Sequence, residues 1–311
     1  MTDLAVHRGD FMAARNCIWF NNGVVCLTPQ PVDDEYRARL DETSRRGPLH
    51  VSFPEEEYPR RQSSRDRIAE FLGARSRDVA FVRGVSEAYI TVLRGIEWGP
   101  NDELIISTDE EAALLLPSLH LRDDQNVRVI RLPVDLEPDA FVGEFVARAT
   151  SRTRLVALSQ VTTNLGCRLP VRELCAAARE RGVLTFVDTA HSAGLLDVQL
   201  EQLGCDFAGA LSYKWMYGPY AAGLLWCQPA LATRLRLAYA GNRSQEAVDE
   251  ERMTYSLKRT AQRFEYGPWT WPVIHAWAAA TKYVDVIGRR AIWDRTVTLA
   301  SSLKDELNRI E

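Results

Sequence analysis

Asp188, His191 and Lys214 are the residues of this chain whose types and spacing suit chemistry. Only four lysines occur against thirty-four arginines, and Lys214 has the least lysine-like setting of the four, Phe207-Ala-Gly-Ala-Leu-Ser-Tyr-Lys-Trp-Met-Tyr-Gly-Pro219. A lysine wedged among aromatic and aliphatic residues is retained for its amine. Burial disfavours the charged form of an amine, so it can act as a nucleophile and then as a base. Upstream, the apolar run Val183-Leu-Thr-Phe-Val-Asp-Thr-Ala-His191 delivers Asp188 and His191 just past its end. A carboxylate, an imidazole and a desolvated amine at strand ends meet the needs of a pyridoxal phosphate site. The amine forms a Schiff base with the aldehyde, and the carboxylate keeps the pyridine nitrogen protonated so that the ring accepts electrons.

A phosphate needs its own cradle. Arg83-Gly-Val-Ser-Glu-Ala88 lies between an apolar run and a helical stretch, and offers Gly84 for close approach, the Val85 and Ser86 N–H groups and the Ser86 hydroxyl. The same string also makes an ordinary helix N-cap. Glu110 and Glu111 read as helix caps rather than site residues, Trp269 and Trp271 as packing, and Lys258, Lys282 and Lys304 as solvated side chains on charged helices.

These residues must be positioned by an alternating pattern. Strands are expected at 79–82, 103–107, 127–132, 154–159, 183–187, 207–211 and 222–226, with helices at 86–94, 112–119, 139–149 and 171–181 between them. Apolar strands without polar alternation, separated by amphipathic helices, predict an α/β domain with a mostly parallel seven-stranded sheet covered by helices on both faces. Ligands of such sheets bind at the carboxyl ends of the strands, where the motif residues fall. Residues 1–30 read as an N-terminal extended arm with a turn near Cys26, and 31–274 as the large domain with further helices at 31–45 and 55–72. The charged 244–259 segment reads as helical, and 275–311 as the helical start of an incomplete C-terminal small domain, apparently truncated.

A net charge of −4 with dispersed basic residues gives no reason to expect nucleic acid or an anionic membrane as partner. No apolar run approaches the roughly 20 residues that cross a bilayer, and no signal-like core follows Met1, which predicts a cytoplasmic protein. Six cysteines without paired spacing read as free thiols, and the five histidines give no metal pattern.

The segments Ser-Gln-Val-Thr-Thr-Asn-Leu-Gly-Cys-Arg-Leu-Pro-Val from Ser159, Val-Asp-Thr-Ala-His from Val187, and Ser-Tyr-Lys-Trp-Met-Tyr-Gly-Pro from Ser212 resemble the class V aminotransferases of the fold-type I pyridoxal phosphate enzymes. The likeness runs from Phe20-Asn-Asn-Gly23 to Phe264-Glu-Tyr-Gly267. It implies that Lys214 forms the internal aldimine, that Asp188 pairs with the pyridine nitrogen, and that His191 bonds near the ring hydroxyl or the phosphate. Val85 and Ser86 would hold the phosphate, joined by Ser212 and Tyr213 in a kynureninase-like Ser-Tyr-Lys arrangement. Thr163 or Asn164 falls beside the cofactor oxygen, Thr270 is the substitute for a threonine that reaches the partner's phosphate, and Asn21 and Asn22 would face the substrate. The resemblance also implies a homodimer with shared sites. The expected reaction is at the α-carbon of an amino acid, through an external aldimine and a quinonoid, of the C–S lyase or epimerase type. Transamination or a non-catalytic cofactor-binding role is the alternative. Glu111-Ala112-Ala113 stands where the family usually stacks an aromatic or histidine ring on the cofactor.

Overall fold

The computed structural model describes residues 4–310. Its centre is a seven-stranded sheet of β1 (Val79–Val82), β2 (Glu103–Ser107), β3 (Arg128–Leu132), β4 (Thr153–Ser159), β5 (Leu184–Asp188), β6 (Phe207–Leu211) and β7 (Gly223–Cys227), in the order β1-β7-β6-β5-β4-β2-β3. Strands β6, β5, β4, β2 and β3 run parallel, whereas β7 is antiparallel to both of its neighbours. Two reversals restore direction, so β1 points the same way as β6. The carboxyl ends of β1, β2, β4, β5 and β6 therefore share one edge of the sheet.

The helices are α1 (Gln30–Arg46), α2 (Leu49–Ser52), α3 (Pro54–Phe71), α4 (Val85–Gly95), α5 (Ala112–Gln125), α6 (Pro138–Arg148), α7 (Val171–Glu180), α8 (Trp271–Ile287) and α9 (Arg289–Leu307). Successive strand residues point to opposite faces, and the strands of this sheet use both. Phe81, Ile105, Val156, Val187 and Leu224 join one apolar cluster with residues of α3, α6, α7 and α8. Their neighbours Val82, Leu104, Leu155, Phe186 and Leu225 join a second with α4 and α5. Strands buried on both sides explain the unbroken apolar runs seen in the sequence.

The 244–259 segment differs from expectation. It forms an antiparallel hairpin, β8 (Gln245–Asp249) with β9 (Thr254–Leu257), in place of a helix. Most of its side chains are exposed, so no buried stripe recorded either the strand or the helical period. Two further details were not marked in the sequence. Residues 49–52 form the single turn α2, and the C-terminal helical stretch is two helices broken at Gly288, whose φ of 89° ends α8. The boundary expected at 274/275 falls inside α8, where Ile274 and Trp277 belong to one core cluster.

Candidate active site

The turn after β5 and the turn after β6 dock closely. Gly194, at φ 91°, lies against the Trp215 carbonyl, where any Cβ would collide with backbone. This contact sets Asp188 and Lys214 against one another at the carboxyl edge of the sheet, although one closes β5 and the other follows β6. Both are 2% exposed. The Lys214 Nζ lies 3.0 Å from His191 Nε2 and 2.9 Å from Glu111 Oε2. The Asp188 Oδ1 accepts a 2.7 Å bond from the Ala190 N–H.

Burial governs the electrostatics. It pushes the Asp188 carboxyl up to about 7, against the lowering effects of the Ala190 N–H and the Lys214 charge, and Glu110 and Glu111 add to the rise. It pushes His191 down to about 4, assisted by the positive charge of Lys214. The imidazole is therefore neutral near pH 7 and hydrogen-bonds to the amine without adding charge.

Two cavities flank the amine. One, of about 590 Å3, is lined by Gly84, Val85, Ser86, Glu111, Ala190 and Tyr213. Helix α4 opens onto it at Gly84 with no side chain capping its first turn. The second, also about 590 Å3, is lined by Asn21, Thr163, Asn164, His191, Trp215 and Lys304. The residues expected from the sequence thus fall into groups: Val85, Ser86 and Tyr213 on the first cavity, Asn21, Thr163, Asn164 and His191 on the second, and Asp188 and Lys214 between.

Besides Asp188 and Lys214, three expected residues line neither cavity. The Ser212 hydroxyl donates to the carbonyl oxygens of Pro219 and Ala222 and so closes its own turn. Asn22 lies beside the Tyr217 phenol, and Thr270 is exposed at the start of α8. Cys26 is buried, and burial pushes its thiol up to about 12, which disfavours a reactive thiolate.

The acidic run after β2 was assigned to capping, and the structure corrects this. Glu111 makes no capping bond to α5 and turns to Lys214 instead. Glu110 is buried and ties β2 to β4, accepting from the Ser107 hydroxyl and from both the N–H and the hydroxyl of Ser159. Asp109, absent from the sequence expectations, accepts bonds from the backbone and side chain of Asn164 and from the Leu165 N–H. Lys304 is exposed as expected, yet it borders the second cavity. Position at the end of a buried parallel strand was the available signal for the acidic run.

The family description "Aminotransferase class-V" matches residues 35–311. The chain belongs to the class V aminotransferase family. Among its relatives, a probable cysteine desulfurase of Methanothermobacter thermautotrophicus is 26% identical over 308 residues, covering 98% of this chain and 76% of the relative. An isopenicillin N epimerase of Amycolatopsis lactamdurans is 33% identical over 211 residues, covering 66% of this chain and 52% of the epimerase. The chain therefore spans about half of the epimerase and about three quarters of the desulfurase. Among solved structures, a lysine-to-alanine variant of C-DES with glycine covalently linked to its pyridoxal phosphate superposes with a TM-score of 0.89 at 20% identity, covering 97% of this chain and 80% of that one. At that identity the likeness speaks for the fold, which is the α/β sheet expected from the sequence.

Pyridoxal phosphate is the cofactor of this class V aminotransferase-family chain, as expected from Asp188 and Lys214, and the pocket fits it. A buried amine and a buried acid lie at the same edge of the sheet, an uncapped helix start faces the first cavity, and the buried Thr163 hydroxyl has no hydrogen-bond partner. Among the described residues, no helix is long and apolar enough to cross a membrane.

Proposed function

We propose that this member of the class V aminotransferase family acts at the α-carbon of an amino-acid substrate, as a C–S lyase or an epimerase. The observation that carries the reading is the burial of the Lys214 amine at the carboxyl edge of the sheet, 3.0 Å from His191 and across the Gly194 contact from Asp188. When bound, pyridoxal phosphate supplies an aldehyde that condenses with amines and a protonated ring that withdraws electrons from the α-carbon.

The protein's own groups supply the rest. Lys214 would hold the cofactor through its amine and, as a free amine, would take the α-proton on Nζ. Asp188 accepts the ring N–H and so keeps that nitrogen protonated. A cationic partner lowers a carboxyl that burial has raised, so Asp188 and the ring nitrogen stabilise each other's charged forms. The Val85 and Ser86 N–H groups, the Ser86 hydroxyl and Tyr213 hold the phosphate at the start of α4. His191, Thr163 and Asn164 face the cofactor oxygen, and Asn21 borders the space left for the substrate. Ser212 and Asn22 serve by fixing the turn that carries Lys214 and the strap beside Tyr217.

A homodimer belongs to the same reading. Thr270 is exposed and borders neither cavity of its own chain, which leaves it free to meet the phosphate of a second copy. Six free cysteines accord with a reducing, cytoplasmic setting. Light scattering on the cofactor-loaded protein tests the first point, and a monomer rejects it.

The reaction is tested with purified protein, pyridoxal phosphate and a panel of L-amino acids and S-alkyl cysteines. Sustained release of keto acid and thiol marks a C–S lyase, and chiral inversion without keto acid marks an epimerase. Turnover that needs an added keto acid marks an aminotransferase. No turnover with any of them returns the protein to a cofactor-binding role.

A further inference from the structure

Glu111 occupies the N-cap position of α5, yet its side chain makes no capping bond. Its Oε2 lies 2.9 Å from the Lys214 Nζ and 3.9 Å from His191 Nε2. The pair is lopsided. The Lys214 side chain is 3% exposed, whereas that of Glu111 is 39% exposed and lines the same cavity as Val85 and Ser86. A partly solvated ion pair contributes at most about 1 kcal/mol to stability. Neither the fold nor the helix therefore accounts for where this carboxylate points.

The groups around the amine come from three places in the fold. Asp109, Glu110 and Glu111 arrive from the end of β2, Asp188 and His191 from β5 and its turn, and Tyr213 from the turn after β6. Asp109 is engaged by the 164–165 backbone and Glu110 by Ser107 and Ser159. Burial, with Tyr220, Glu111 and Asp188 nearby, pushes Tyr213 up to about 12, and His191 is pushed down to about 4, so both are neutral near pH 7. Asp188 is committed to the ring nitrogen in the reading above. Glu111 is thus the carboxylate in hydrogen-bond contact with Nζ.

We propose that Glu111 is a catalytic residue that sets the proton occupancy of the Lys214 nitrogen and receives the proton which that nitrogen must shed to become nucleophilic. In that step the N–H bond breaks, an O–H bond forms on the Glu111 carboxylate, and the electron pair stays on Nζ. The inference rests on Lys214 being the point of cofactor attachment. A carboxylate beside a cationic nitrogen favours its protonated form.

The test is a pH titration of the bound-cofactor absorbance in the holoenzyme and its variants. In Glu111→Gln and Glu111→Ala the midpoint falls by about 1 pH unit, and Glu111→Asp retains most of the wild-type value. Glu87→Gln is the comparison, because Glu87 lines the same cavity but is held by Arg83 and Tyr266, and it leaves the midpoint in place. A midpoint indifferent to both Glu111→Gln and Glu111→Ala overturns the proposal, as does an equal shift in Glu87→Gln. A wild-type protein with no borohydride-fixable cofactor on Lys214 overturns the attachment reading itself, so the two failures are told apart.

Discussion

The Asp109 carboxylate holds Asn164 by both ends, 2.6 Å from the side-chain amide nitrogen and 3.1 Å from the backbone N–H. It also accepts the Leu165 N–H at 2.9 Å. Burial pushes the Asp109 carboxyl up, but the bonds from Leu165, Thr162 and Asn164 together outweigh it and leave it below the usual range. The 162–165 loop is thereby pinned over the second cavity by a residue from the end of β2. Asp109→Ala is expected to cost about 1–3 kcal/mol, the cost of leaving charge-assisted bonds unmade. It should also speed amide hydrogen exchange across 162–166. Unchanged exchange there would remove Asp109 from the role of loop anchor.

Lys214→Ala is expected to abolish cofactor absorbance near the visible edge while the fold persists. Loss of a buried amine removes the group that binds the aldehyde covalently in the proposed function. Borohydride reduction of the wild type should fix the cofactor onto the peptide containing Lys214. A yellow variant that borohydride still fixes to protein would falsify the assignment.

The cofactor-free protein should show opposed pH effects on stability. Burial raises Asp188 to about 7, so its contribution is complete below the ordinary carboxylate range and is lost as pH rises towards about 7. Burial lowers His191 and His275 to about 4 from 6.5, so their contribution is present above 6.5 and is lost as pH falls towards 4. Asp188→Asn removes only the first effect. Its melting temperature should climb with pH below 6.5 more steeply than that of the wild type, by up to about 1.4 kcal/mol of stability per pH unit. Parallel curves would show that Asp188 does not take up a proton on folding. In the loaded enzyme the same substitution should harm cofactor function more than thermal stability.

Gly223→Ala tests how tightly the phosphate turn is seated. A Cβ at Gly223 would stand 2.7 Å from the Ala210 carbonyl oxygen and 2.9 Å from the Gly84 Cα. Backbone cannot yield as a side-chain tip can, so the expected destabilisation is about 1–3 kcal/mol, that of overpacking. Displacement of Gly84 should weaken cofactor binding as well. Wild-type affinity in a destabilised variant would separate the seating of β7 from that of the turn.

The parallel strands were legible because burial on both faces leaves their apolar runs unbroken, and Asp188 and Lys214 because a charged group inside such a run has few structural uses. The β8–β9 hairpin was not legible. Its exposed residues from Gln245 to Leu257 carry no face for a period to mark. Glu111 was misassigned because its local context, directly before an amphipathic helix, is that of a cap. Its contact with Lys214 spans 103 positions, and it exists only once β2 and β6 lie in one sheet. The insertion of β7 between β1 and β6 left no local trace either, since antiparallel and parallel central strands share one apolar texture.

That insertion has a bearing on when the pocket can exist. The phosphate turn follows β1 and the amine follows β6, and these strands do not pair; β1 is hydrogen-bonded only to β7, which pairs with β6 on its other side. A ribosome that has delivered every group from Val85 to Lys214 still lacks the strip that joins β1 to β6. Coenzyme capture is consequently a late event, and colour reports that the last central strand has zipped into place.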